Sequence, residues 1–163
     1  MKKLIGSFVL ASALLGNAWA DELRMVGEAH LKVLFWSVYN SRLYSADGRY
    51  QPGQRPLRLE IEYLLDIDAD DLVERTREEW QHQGVARQLQ EQWAQQLVRL
   101  WPDVAASDVL SVVIDTHQTS TFYRNGELLG VIDDPEFGHH FLGIWLSPDT
   151  SRPELRLAMI GAE

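Results

Sequence analysis

The chain has 163 residues, a mass of 18.7 kDa and a formal net charge of −9, with 45% hydrophobic and 24% charged residues. That size suits a single domain around one apolar core, and that balance excludes a disordered chain and a polytopic membrane protein. With Asp+Glu at 24 against Lys+Arg at 15 and no basic cluster, no footing exists for a nucleic acid; the lack of cysteine removes disulfides, thiolate metal sites and cysteine nucleophiles.

The N-terminus reads as a secretory signal peptide over residues 1–20. Lys2 and Lys3 precede an apolar run from Leu4 to Leu15, and Ala18-Trp19-Ala20 puts small residues at −3 and −1 of a cleavage site. The run is shorter than the roughly 20 residues that span hydrocarbon, so the expectation is cleavage rather than anchoring. The exported chain, 21–163, then begins at Asp21 as one domain, and a bacterial periplasm is the simplest address.

From Leu23 to Tyr44 the sequence is rich in Val, Leu, Phe, Trp and Tyr without a helix-spaced stripe, which predicts one or two strands. Leu31, Val33, Phe35 and Tyr39 share one parity and Leu34, Trp36, Val38 and Tyr44 the other, which predicts a central strand covered on both faces. Leu57 to Tyr63 alternates cleanly, with Leu57, Leu59, Ile61 and Tyr63 facing one way and Arg58, Glu60 and Glu62 the other.

Asp66 to Asp71 has the acid spacing of a calcium loop but lacks its turn glycine and its closing glutamate. Asp68 as an N-cap, followed by Asp70 and Asp71 in a first turn, accounts for the same acids. The helix so begun carries Leu72, Val73, Thr76 and Trp80 on one face and stops at Gly84. A second helix spans Val85 to Trp101 and ends at Pro102.

Val109 to Thr116, Thr119 to Arg124 and Leu128 to Ile132 then form a three-stranded meander, the last two joined by the type I′ turn dipeptide Asn125-Gly126. Asp134 and Pro135 open a helix that buries Phe137, Phe141, Ile144 and Trp145, and Ser151 caps a final helix ending at Gly161.

Three stretches, Val26 through Tyr44, Phe122 through Gly130 and Asp134 through Leu146, together resemble the bacterial exported branch of the chalcone isomerase-like family. The resemblance implies an α+β fold, a curved antiparallel β-sheet with a layer of helices packed on one face. It implies either of two activities in the cleft between sheet and helices: closure of a chalcone ring, or non-catalytic binding of fatty acids. In the enzymes of this family a strand threonine helps polarise the ketone. That position falls here on Leu34 or Phe35, which cannot donate a hydrogen bond, and the catalytic arginine falls near Glu22 to Arg24.

Among the residues themselves, Arg42 follows the most apolar strand between Tyr39 and Tyr44, and a guanidinium with phenolic donors grips a carboxylate well. The candidate ligand-binding set is Arg42, Tyr39, Tyr44, Trp36, Tyr63 and Trp80, with a small amphipathic ligand such as a fatty acid as partner. The alternative is an intramolecular lyase or isomerase on an enone or flavonoid-like substrate, with Arg42 and Tyr39 or Tyr63 handling charge and proton. No cofactor or metal is expected: His139 and His140 are adjacent on a helix and diverge by about 100°, and His30, His82 and His117 are read as having no local carboxylate at ligand spacing.

Overall fold

Alternation of buried and open residues along the inner strands of a six-stranded sheet sets the architecture in the computed structural model, which describes residues 23–162. The expected signal peptide lies outside the described residues. The strands are β1 (Arg24–Val33), β2 (Trp36–Ser45), β3 (Leu57–Tyr63), β4 (Val109–Ile114), β5 (Ser120–Arg124) and β6 (Glu127–Ile132). They form one open antiparallel sheet in the order β1-β2-β3-β4-β5-β6, so every strand pairs with its sequence neighbour.

One face of the sheet presents Leu43, Leu57, Leu59, Ile61, Leu110, Val112, Ile114 and Phe122, all buried. Helices α1 (Ala69–His82), α2 (Arg87–Leu100), α3 (Pro135–Leu146) and α4 (Pro153–Met159) account for that burial. The fold is thus α+β, with helices over one sheet face as the sequence implies.

The starts of α1 and α3 fall at the expected aspartates, though only Asp134 caps through its side chain. Asp68 stands at the N-cap of α1 with Asp70 and Asp71 in the first turn, facing the positive end of the helix dipole. Asp134 caps α3, its Oδ1 accepting from the Glu136 N–H at 3.0 Å, while its Oδ2 accepts from Trp93 Nε1 at 2.8 Å. One carboxylate therefore starts α3 and ties it to α2. Trp80 and Trp93, both wholly buried, meet edge to face at 5.4 Å and pack on Phe137. Each such indole withdraws roughly 200 Å² from water, a gross stabilisation of about 5 kcal/mol before entropy.

Two expectations are corrected. The apolar stretch from Leu23 to Tyr44 is not a central strand covered on both sides but a hairpin at the sheet edge, β1 being the outermost strand. Its turn is the dipeptide Leu34-Phe35, with Leu34 at φ 56°, and neither glycine nor asparagine marks it. A bulge follows on β2: Leu31 pairs Tyr39 but Lys32 pairs Ser37, so Val38 is the extra residue and the face of Trp36 is exchanged relative to Arg42. The cap of α4 is Arg152 rather than Ser151, whose hydroxyl donates to Glu79 Oε2 at 2.7 Å instead.

Candidate ligand cavity

The sheet and its helices do not close completely on each other. They leave a cavity of about 380 Å3, within the range of small-molecule sites. The sheet side of its wall is Leu59, Ile61, Tyr63, Leu110, Val112 and Phe122. The hairpin contributes Leu31, Val33, Val38 and Tyr39, and the Val38 bulge is what allows two successive β2 residues to reach it. From the helical side come Leu72, Phe141, Ile144 and Trp145.

The polar part of the wall is concentrated on α1 and the entry to α4: Arg75, Thr76, Glu79, Thr150, Ser151 and Arg152. Glu79 is buried, and both of its oxygens are engaged. Oε1 takes Arg75 Nη2 at 2.6 Å and Oε2 takes the Ser151 hydroxyl at 2.7 Å. Arg75 also meets Glu78 at 2.9 Å, so its charge is matched twice. Thr150 is held by Ile144, its hydroxyl donating to that carbonyl at 2.7 Å. Arg152, half-buried, has no ion pair through its guanidinium among the described residues. It is the cation of this wall left for an acceptor from outside.

Two phenols stand close together in the same cavity, the rings of Tyr39 and Tyr63 meeting edge to face at 6.2 Å. Tyr39 accepts from Trp145 Nε1 at 3.0 Å, which leaves its own O–H to donate. Burial pushes the Tyr39 pKa above its usual value, the Trp145 hydrogen bond opposing the shift. Burial pushes Tyr63 up further, with Tyr39 adding to it. Both side chains remain neutral at physiological pH, as hydrogen-bond donors rather than bases.

Of the residues expected from sequence, the structure brings Tyr39 and Tyr63 together in this wall and disperses the others. Arg42 points to the opposite, open face of the sheet, where it pairs with Glu62 at 3.2 Å and Glu28 at 3.6 Å. The physical reason is register. Arg42 lies opposite Glu60 on β3, on the wet side of a strand whose other face is Leu59 and Ile61. Tyr44 shares that face, donating to Glu60 Oε2 at 3.0 Å beneath the Arg58 guanidinium at 4.2 Å from its ring. Trp36 stands at the hairpin tip, 66% exposed, and Trp80 is core, its indole N–H donating to the His140 carbonyl at 3.3 Å.

Arg75 and Arg152, the cations that do line the cavity, were not among the residues expected. Arg75 carried a signal, since it is an exposed residue bordering the buried stripe Leu72, Thr76 and Glu79 of α1; Arg152 carried none. Among the described residues no group of His, Asp and Glu is arranged to hold a metal ion, and no helix is long and apolar enough to cross a membrane. Asp66, the first acid of the rejected calcium loop, accepts from the Ala106 N–H at 2.8 Å.

An open antiparallel meander with helices over one face and a hollow between the layers defines the class of protein. More narrowly, the chain belongs to the chalcone isomerase-like family, whose profile matches residues 14–161. A Haemophilus influenzae protein of uncharacterised role is 26% identical over 124 residues, which is 76% of this chain and 61% of that protein's length. The chain thus spans less than two thirds of that curated relative. Among solved structures, the fold is similar to that of the Arabidopsis thaliana fatty-acid binding protein AtFAP1. The TM-score is 0.65 at 11% identity, over 86% of this chain and 89% of that one.

Proposed function

We propose that this protein is a non-catalytic carrier of a small amphipathic ligand, a fatty acid or a molecule of that shape. The acyl tail occupies the apolar cavity and the carboxylate meets Arg152, with the Tyr39 hydroxyl as a second donor. The observation that carries this reading is an apolar hollow of about 380 Å3 with an arginine at its wall, Arg152, that no carboxylate among the described residues pairs with. A charged acceptor entering there gains charge-assisted hydrogen bonds without breaking an existing pair. The fatty-acid binding role of a protein of the same fold supports the assignment, and the sequence of residues 1–20 supports export to a periplasm.

An enone isomerase is the less favoured reading, because Arg42 faces away from the cavity and both cavity phenols are held protonated. The test is a titration with oleate and with its methyl ester, on the protein and on Arg152→Gln. Oleate should bind the native protein more tightly than the ester. The substitution should weaken oleate by about 10- to 100-fold and leave the ester nearly unchanged, as expected for one charged hydrogen-bonding partner worth roughly 1.5–3 kcal/mol. Equal affinities in all four combinations, or turnover of a chalcone without oleate binding, overturns the proposal.

A further inference from the structure

The tip of the β1–β2 hairpin is the most apolar exposed surface of the described residues. Val33, Leu34, Phe35 and Trp36 are consecutive, and their exposures are 40%, 84%, 93% and 66%. The other exposed large hydrophobics, Met25, Val98, Leu128, Val131 and Leu157, nowhere form a consecutive run. Folding does not account for the tip. A two-residue hairpin turn with positive φ at its first position favours glycine or asparagine, yet Leu34 holds φ 56° there, and no core contact rewards side chains so exposed.

Resting on the reading of the cavity as an acyl-chain site, we propose that this hairpin tip docks on a lipid bilayer, its Leu-Phe-Trp apex in the headgroup–acyl boundary, so that ligand passes between membrane and cavity along the hairpin. Three observations select a bilayer. First, the apolar surface is continuous: Leu31 and Val33 on β1 and Val38 and Tyr39 on β2 line the cavity immediately below the tip. Second, the tip is only a two-residue turn. A stable protein interface needs roughly 800 Å2 on each partner, whereas insertion into a headgroup layer needs apolar depth, which Leu34 and Phe35 supply, and an amphipathic aromatic, which Trp36 supplies. Third, the chain carries 24 acidic residues, yet residues 29–46 hold none, and Lys32 flanks the tip. Carboxylates that an anionic membrane surface would repel are missing from the segment that would approach it.

The test uses the chain from Asp21 onward, which contains all six strands, all four helices and the cavity. Flotation with phosphatidylcholine vesicles, with and without phosphatidylglycerol, should recover the protein with both. Brominated acyl chains should quench tryptophan emission, and Trp36→Phe should abolish that quenching. Leu34→Ser with Phe35→Ser should lower vesicle partition by about tenfold or more. The same variant should keep the melting temperature and the affinity for dissolved oleate, because neither side chain lines the cavity. Unchanged partition in this double variant overturns the proposal. So does a concentration-dependent dimer, seen by sedimentation, that the same substitutions dissolve, since the tip would then meet a second copy. Vesicle binding without oleate binding upholds the docking and sinks only the assignment of the cavity.

Discussion

Asp108 shows how one carboxylate can organise the strand ends where β4 begins and β5 turns into β6. It accepts from the Ala105 N–H at 2.9 Å, from Arg124 Nη2 at 2.8 Å and from Asn125 Nδ2 at 2.9 Å, while Asn125 Oδ1 takes the Val109 N–H. Those bonds, the backbone one foremost, lower its pKa to about 2 from the usual 3.8. The folded-state value lies below the unfolded one, so the stabilisation is present above about pH 4 and is lost as pH falls toward 2. Asp108→Asn should therefore melt at lower temperature than the parent at pH 7, and the gap should narrow at pH 2 to 3. A gap that stays constant across that range would show that the charge of Asp108 is not what stabilises the loop. Arg42 illustrates the limit of reading single residues. Its type and its neighbours suited a ligand, but which face it occupies depends on its register with Glu60, a pairing between segments that no local pattern encodes. Arg75 and Arg152 are brought to one wall across more than seventy residues of chain, and only the packing of α4 against the sheet makes them neighbours.

At the scale of elements, the joint between α2 and α3 is one carboxylate doing two things. Asp134→Ala removes the α3 cap and leaves the Trp93 N–H buried without its acceptor. Loss of a cap costs about 1 kcal/mol and an orphaned buried donor about 1–3 kcal/mol, so chemical denaturation should register a loss of roughly 2–4 kcal/mol. Asp134→Asn, which keeps an acceptor oxygen for the cap, should recover part of it. A loss below about 1 kcal/mol for the alanine variant would show that water replaces both partners. This joint was half legible: Asp134-Pro135 announces a helix start, but the reach of Trp93 does not follow from α2 alone. The helices and the β4–β5–β6 meander were legible because apolar spacing, glycine stops and Asn125-Gly126 all act locally. The β1–β2 hairpin was not, because Leu34-Phe35 carries no turn chemistry and the Val38 bulge hides the change of face.

At the scale of the whole molecule, an apolar hollow is a standing loss of stability, because the side chains around it lack the dispersion contacts that a filled core provides. Two opposite remedies follow, and their combination separates a binding site from a packing defect. Ligand acts through mass action: oleate at a hundredfold excess over its dissociation constant adds about 2.7 kcal/mol, which for a domain of this size raises the melting temperature by roughly 8–10 °C. Substitution acts through the fold. Val112, 2% exposed in the middle of the cavity floor between Leu59 and Phe122, is the position from which a larger side chain enters the hollow without crossing the helical layer. Val112→Phe should raise the melting temperature of the ligand-free protein by a few degrees and erase most of the oleate-induced rise, since ring and acyl chain compete for one volume. A variant that is stabilised yet still shifts fully with oleate would place the ligand elsewhere. A variant that is destabilised while oleate still shifts it would mean that the helices relax around the ring, so that the cavity is an adaptable seam rather than a fixed container.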